Sequence, residues 1–310
     1  MKYHKEIIPK LLSYQGFCFK NFLWLVGRLI HQNDLRAVRE SDGMVDNFKQ
    51  SKNRFLVKGI ADQTFKLTIG ENVIESQTDA FGYFTIMQND FQSEGNNVCI
   101  FEFDKLNFST IKRNMIYMIP EDCKKIVVSD IDDTLVHTNV RHKNRTIFNA
   151  IFGNALSKKM IEGAAPFLNH LNKELKMPIF YVSRSPYELS DVIKTFFEIN
   201  DFPNGPMLLR NVSTVKYYKQ RDFLKEQKFK GIEMLFKNTA DIKFILIGDS
   251  SEKDALIYLN LAKRFPKKVD KIFIRNVYKN RKYKNLVTAV NDFPNGFLVQ
   301  FFDGYGELGV

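Results

Sequence analysis

The chain has 310 residues, room for one large domain or two ordinary ones, and 44% are hydrophobic, enough for a real core in which the 29 Phe should dominate. Lys and Arg outnumber Asp and Glu by 46 to 35, so the net charge is +11, which favours an anionic partner (phosphorylated substrate, acidic lipid or nucleic acid) over charge serving solubility alone. Cys18, Cys99 and Cys123 form neither a CxxC zinc pattern nor a disulfide framework, and the five His lack HxxxH or HExxH spacing, so a reducing, cytoplasmic setting without a histidine metal site is expected.

The first apolar run, Phe22 to Gly27, is flanked by Lys20 and Arg28. It is far shorter than the roughly 20 residues of a spanning helix and lacks the cleavage signature of a leader. No transmembrane segment is expected; peripheral membrane contact is left open. Residues 20–118 show short apolar runs between polar turns: Phe22–Leu29, Phe55–Ile60, Phe65–Ile69, Tyr83–Met87 and Val98–Phe103. Between two of them, Thr78–Phe84 supplies Asp and Gly for a strand connection. A small β-sandwich domain over residues 1–120 is expected. The polar stretch Gln32–Ser51 reads equally as helix or loop.

From Ile126 the texture changes. Ile126–Val128 reads as a strand, Pro166 opens a helix through Leu168, Leu171 and Leu175, and Pro178–Val182 is a second strand. Ser185, Pro186 and Glu188 have the spacing of a capping box that opens the next helix. Phe244–Ile247 is a third strand, a helix runs through Leu256, Leu259 and Ala262, and Ile272–Ile274 is a fourth strand. Alternating strands and helices indicate α/β architecture with a doubly wound, Rossmann-like parallel sheet over residues 121–310.

Polar residues follow these strands directly: Asp130, Asp132, Asp133 and Thr134 after the first, Ser183 at the second, Gly248-Asp249-Ser250 at the third. Ligands of open α/β sheets bind outside the carboxyl ends of the strands, so three segments deliver carboxylates and hydroxyls to one edge. Asp130 and Asp132, two positions apart, concentrate negative charge that a hard cation such as Mg²⁺ relieves, with Asp249 as a further carboxylate. Asp130 can then attack phosphorus to form an aspartyl-phosphate. Asp132 can protonate the leaving alkoxide and later deprotonate water. Thr134 would lock the loop, and Ser183 and Lys228 would hold phosphoryl oxygens. Singly, each has an ordinary explanation: an acidic turn, a helix-entry hydroxyl, a solvated lysine, a Gly-Asp turn. Their order and common placement at strand ends argue for catalysis.

These residues resemble the four ordered motifs of the haloacid-dehalogenase superfamily: Asp130-Ile131-Asp132-Asp133-Thr134, then Ser183, Lys228, and Gly248 to Asp254. Tyr181-Val182-Ser183-Arg184-Ser185-Pro186 and Phe202–Arg210 are similar to segments of the actin-patch phosphatidate phosphatase family, a relative of the lipin catalytic domain. The resemblance covers about residues 126–277. It implies a Mg²⁺-dependent phosphatase with a small cap or none, Asp130 as nucleophile and Asp132 as acid/base. It also implies metal binding by the Asp130 carboxylate, the Asp132 backbone carbonyl and Asp249, with Asp254 supporting the metal or orienting Lys228. Arg184, where a small or polar residue is common, joins Thr134, Ser183 and Lys228 as a substrate contact. Gln227 replaces a common His, and Lys230 is a nearby rival to Lys228.

The intervals from Asp130 to Ser183 and from Ser183 to Lys228 must also hold core elements, which leaves little chain for a large cap. Lys263–Lys284 carries ten Lys or Arg against one acid, Asp270, and can face an anionic membrane or simply water. The expected substrate is a phosphatidate-like lipid or another exposed phosphomonoester. The alternatives are a non-catalytic phosphatidate-binding module, against which the presence of Asp132 argues, and a phosphatase for nucleic-acid ends, for which no nucleic-acid motif is seen.

Overall fold

A computed structural model describes residues 8–32, 57–92, 95, 98–137, 159–211, 221–250, 254–277 and 298–309, with backbone alone at 221–226 and 298. The Gln32–Ser51 stretch after its first residue, the start of the Phe55–Ile60 run, Ser251 to Lys253 and the basic run beyond Val277 lie outside the described residues. The chain divides into two compact units, residues 1–121 with 211–216 and residues 122–210 with 217–310.

Apart from one 3₁₀ turn, Asp104–Leu106, the described elements of the first unit are β-strands. One sheet holds β1 (Pro9–Ser13), β2 (Gly16–Phe19), β3 (Phe22–His31), β6 (Tyr83–Gln88) and β9 (Ile116–Ile119), with β3 paired to β1, β2 and β6 and β9 added in parallel to β2. The other is antiparallel, in the order β5 (Asn72–Gln77), β4 (Thr64–Ile69), β7 (Val98–Phe103), β8 (Phe108–Arg113). Alternation sets the faces: in β4, Phe65, Leu67 and Ile69 are buried while Lys66 is exposed. Both sheets feed one apolar cluster, in which Phe84 of the first stacks against Phe65 and Phe101 of the second at ring separations of 4.8 and 5.7 Å.

The Thr78–Phe84 connection closes as the turn residues suggest. Asp79 Oδ1 accepts the Phe81 and Tyr83 amides at 2.8 and 2.9 Å, and Gly82 takes φ +82°, where a Cβ would stand 2.2 Å from Leu29 O. Buried Arg28 spans the turn, donating to Phe81 O at 3.1 Å and Val57 O at 3.2 Å. Residues 57–60 form a bridge, Ile30 to Gly59, where a strand was expected.

The second unit is a six-stranded, wholly parallel sheet. Its strands are β10 (Lys125–Asp130), β11 (Ile179–Pro186), β12 (Met207–Arg210), β13 (Lys243–Asp249), β14 (Val269–Arg275) and β15 (Leu298–Phe302), ordered β12-β11-β10-β13-β14-β15. The α-helices among its described residues are α1 (Ala164–Asn169), α2 (Ser190–Ile199), α3 (Arg221–Asn238) and α4 (Asp254–Arg264). No helix among the described residues is long and apolar enough to cross a membrane. Register fixes the site: Asp130 pairs with Val182 and Ser129 with Ile247, so the carboxyl ends of β10 and β13 lie side by side next to Val182 of β11, which runs on to Pro186.

Two local expectations are corrected. The helix expected from Pro166 begins at Ala164, because Pro tolerates the first turn, where amides lack intrahelical partners; beyond Asn169 the chain widens into a π segment, His170–Glu174, and Leu175 is exposed. The capping box at Ser185 does not form. Ser185 and Pro186 finish β11 because Pro186 registers with Arg210 of β12; a 3₁₀ turn, Tyr187–Leu189, intervenes before α2, with no side-chain cap.

Candidate active site

Asp130 ends β10 with its side chain 4% exposed. Its two oxygens are held separately: Lys228 Nζ lies 2.8 Å from Oδ1, and Thr134 Oγ1 donates to Oδ2 at 3.0 Å. Lys228 comes from α3, is 1% exposed, and also pairs with Asp254 Oδ1 at 2.7 Å. Lys230, its rival in sequence, is exposed. Asp254 opens α4, whose first turn brings it back beside Asp249 at the end of β13. Gly248 makes that approach feasible, since a Cβ there would lie 3.0 Å from Asp254 Cβ and 2.8 Å from the Tyr258 ring.

Carboxylate oxygens of Asp130, Asp249 and Asp254 all fall within 4.8 Å of one another, and all three residues are buried. Lys228 pairs with two of these buried carboxylates, Asp130 and Asp254, and the third, Asp249, lies close to both. Three carboxylates gathered this closely in a buried site repel one another, so the arrangement suits a divalent cation. Asp254 Oδ2 adds a buried oxygen with no hydrogen-bond partner among the described residues. The electrostatics agree. Burial, then the neighbouring Asp254, Asp249 and Asp132, push the Asp130 carboxyl well above the ordinary range, and Lys228 offsets this only in part. Burial alone would lower the Lys228 ammonium, but Asp130 and Asp254 outweigh it and keep it charged.

Asp132 stands apart from this cluster. It is half-buried and accepts a hydrogen bond from Ser183 Oγ at 3.0 Å, while Ser183 Oγ accepts the Ser185 amide at 3.0 Å. The carboxylate grouped with Asp130 and Asp249 is therefore Asp254, which the sequence suggested only as a support. Arg184 is half-buried within β11, and Gln227 is half-buried beside Lys228 on α3. Asp133 follows Asp132 in the left-handed region, φ +56°, and turns the chain so that the Leu135 amide reaches Ile131 O at 2.9 Å.

Three residues at the site carried no role in the sequence reading. Tyr258 donates to Ile247 O at 3.0 Å, and Lys228 Nζ lies 5.8 Å from its ring centre. Arg275 Nη1 donates to Asp133 O at 2.8 Å, and Tyr305 donates to Thr134 O at 3.0 Å. Arg275 ends β14 opposite Asp249 of β13, and Tyr305 follows β15, which pairs with β14. Arg275, the last residue of β14, directly follows the expected strand Ile272–Ile274, a position that could have flagged it; no pattern marks Tyr305.

Residues 125–276 match the family model described as phosphatidate phosphatase APP1, catalytic domain. Phosphatidate phosphatase APP1 of Saccharomyces cerevisiae is 32% identical over 149 residues, 48% of this chain and 25% of that protein. An uncharacterised protein of Schizosaccharomyces pombe is 29% identical over 171 residues, 54% of this chain and 28% of that protein. The chain thus spans about a quarter of the length of these curated relatives. Among solved structures, a carbohydrate acetylesterase from Xanthomonas citri aligns over 86% of this chain and 68% of that one, at 9% identity and a TM-score of 0.30, too weak a likeness to carry an argument. The resemblance read from Tyr181–Pro186 and Phe202–Arg210 is therefore matched from β10 to β14, and residues 125–276 are similar to the catalytic domain of the phosphatidate phosphatase APP1 family.

Proposed function

We propose that this protein is a Mg²⁺-dependent phosphatase of the haloacid-dehalogenase type that hydrolyses a phosphatidate-like lipid to diacylglycerol and phosphate. The observation that carries the reading is the buried triad Asp130–Lys228–Asp254, set beside Asp249 at adjoining strand ends inside the segment similar to a phosphatidate phosphatase catalytic domain. Asp130, Asp249 and the Asp132 backbone carbonyl would hold the cation, which when bound supplies the positive charge that balances the cluster and shields a phosphate dianion.

The chain's own groups then have distinct tasks. Asp130 attacks phosphorus, forming an aspartyl-phosphate as the bond to the lipid oxygen breaks, and Asp132 gives that oxygen its proton. Water, deprotonated by Asp132, attacks the aspartyl-phosphate, releases phosphate and returns Asp130 to a carboxylate. Lys228 and Thr134 hold the Asp130 oxygens for attack, and Lys228 offsets charge developing on the phosphoryl group. Ser183, whose Oγ donates to Asp132, would bind a phosphoryl oxygen, and Arg184, the next residue of β11, would contact the substrate. Asp254 keeps Lys228 charged and oriented.

The reading takes residues 1–120 as a β-sandwich-like domain and 121–310 as the phosphatase domain, supported by the division of the chain at 121/122. It places the protein in the cytoplasm, where the free Cys18, Cys99 and Cys123 are at home, acting at an anionic membrane surface. The test is phosphate release from phosphatidate in mixed micelles and from a panel of soluble phosphomonoesters, with and without Mg²⁺, using Asp130→Asn as control. Mg²⁺-dependent turnover of phosphatidate, lost in the variant, supports the proposal. No turnover of any substrate, or equal turnover by the variant, removes the enzyme reading. Efficient turnover of soluble esters alone, with no binding to anionic vesicles, removes the lipid.

A further inference from the structure

The loop between Asp130 and Val136 contains a residue in an unfavourable backbone region, Asp133 at φ +56°. Such a conformation persists only where the surroundings over-determine it. Two side chains do so by holding successive carbonyls: Arg275 Nη1 takes Asp133 O at 2.8 Å, and the Tyr305 hydroxyl takes Thr134 O at 3.0 Å. Thr134 passes the constraint on, since its Oγ1 donates to Asp130 Oδ2 at 3.0 Å.

Tyr305 lies outside residues 125–276 and is brought to the loop by an element of its own. Strand β15 pairs with β14 from Lys271–Leu298 to Arg275–Phe302. The turn after it is built to present the ring. Asn276 Nδ2 donates to Asp303 Oδ1 at 2.7 Å, and the Glu307 carboxylate accepts the Asp303 and Gly304 amides at 3.2 and 3.1 Å. The ring is 3% exposed, packed against Phe302 and Phe167 with centres 5.1 and 5.4 Å away. Opposite it, Gly163 sits at φ +78°, and a Cβ there would come within 3.1 Å of Tyr305 Cβ. Phenylalanine would fill the same space; the hydroxyl adds the bond to the Thr134 peptide.

We propose that Tyr305 is a positioning residue for Asp130: through the Thr134 carbonyl its hydroxyl holds the nucleophile loop in one conformation, which makes residues 298–308 a working part of the active site. The kinetic consequence rests on the phosphatase reading; the structural consequence rests on the contacts alone. The test is Tyr305→Phe in the full chain, followed by steady-state kinetics, thermal melting and amide hydrogen exchange. The expected result is a kcat lower on the order of tenfold with KM within about twofold, the split of an interaction that matters in the transition state. Melting should fall by no more than a few degrees. The amides of Asp133, Leu135 and Val136, which close this loop onto Val136 O and Ile131 O, should exchange on the order of tenfold faster, while those of β10 and β13 keep their protection. Unchanged exchange at the three loop amides, uniform acceleration across the parallel sheet, or an unaltered kcat in an active enzyme overturns the proposal. If the unmodified protein hydrolyses nothing, the phosphatase reading falls while the exchange measurement still decides whether Tyr305 holds the loop.

Discussion

The two units bury polar groups for different ends. Among the described residues of the β unit, the buried polar or charged side chains are Arg28 and Thr78, and each is satisfied by backbone. Arg28 ties a turn to a neighbouring segment; Thr78 donates to Ile60 O and accepts the Gln63 amide, both at 2.9 Å. The parallel-sheet unit instead buries charge against charge, with Asp130, Asp249, Asp254 and Lys228 gathered at strand ends. A fold gains little net stability from burying an ion cluster when apolar side chains would fill the space. Buried charge that packing does not require marks the working unit.

The sharpest way to break this contrast is at the nucleophile. Asp130→Asn keeps the shape of the side chain and should lower phosphatase activity by about 10³-fold or more, with circular dichroism unchanged. Residual activity within tenfold of the unmodified protein would move the chemistry elsewhere. Lys228→Met comes next. It leaves Asp130 and Asp254 facing one another without their ammonium, and breaking a buried pair in this way costs about 3–5 kcal/mol, readable by urea denaturation. A neutral effect would mean that the cluster is solvated and that the contrast between the units is false.

How far the sequence shows this depends on what each residue touches. Strands β3, β4, β6, β7, β10, β11, β13 and β14 were legible because buried strands read as apolar runs or alternate strictly. Strands β5 and β12 were among those that were not: β5 is a polar edge strand, Asn-Val-Ile-Glu-Ser-Gln, with one face only half-buried where Ile74 meets the core, and β12 is four residues inside a Pro- and Gly-rich segment. The apparent capping box failed because pairing with β12 holds Pro186 extended. Asp130 and Asp249 could be found because each ends its strand, and Ser183 because it follows the apolar run Pro178–Val182, although β11 runs on past it to Pro186. Asp254 was visible in the motif, but its place among the carboxylates depends on the first turn of α4 and on Gly248. Tyr305 could not be found, because its contact needs a strand pairing that no local pattern encodes.

Metal sharpens the comparison further. If the three clustered carboxylates hold a divalent cation, Mg²⁺ at about a hundredfold over its Kd should stabilise the protein by about 2.7 kcal/mol, and chelation should reverse this. Asp249→Asn should abolish the shift; a shift that survives would place the cation elsewhere. In the β unit the corresponding test is Arg28→Met. Two carbonyls, Phe81 O and Val57 O, lose a charged donor, for a loss of about 2 kcal/mol in stability with kcat and KM unchanged. A fall in kcat at constant stability would give the β unit a share in the chemistry.

The smallest expected effect concerns what the β unit buries instead of charge. Cys99 lies in the shared core of its two sheets, fully buried. Burial pushes its thiol from 9.0 up to about 12, because a thiolate there would be stripped of water. At pH 8 only about one molecule in 10⁴ would carry the reactive thiolate, so a thiol reagent should label Cys99 only after denaturation. The same shift sets a direction for stability. Below pH 9 the thiol is protonated whether the chain is folded or not and contributes no pH dependence. Between about 9 and 12 the unfolded chain loses its proton while the folded one keeps it, so stability falls as pH rises. Replacing Cys99 by Ala should flatten that slope, and an unchanged slope in the variant would assign the alkaline loss to other groups. A buried neutral group of this kind responds only far from physiological pH, which is the sense in which the β core is inert and the carboxylate cluster is not.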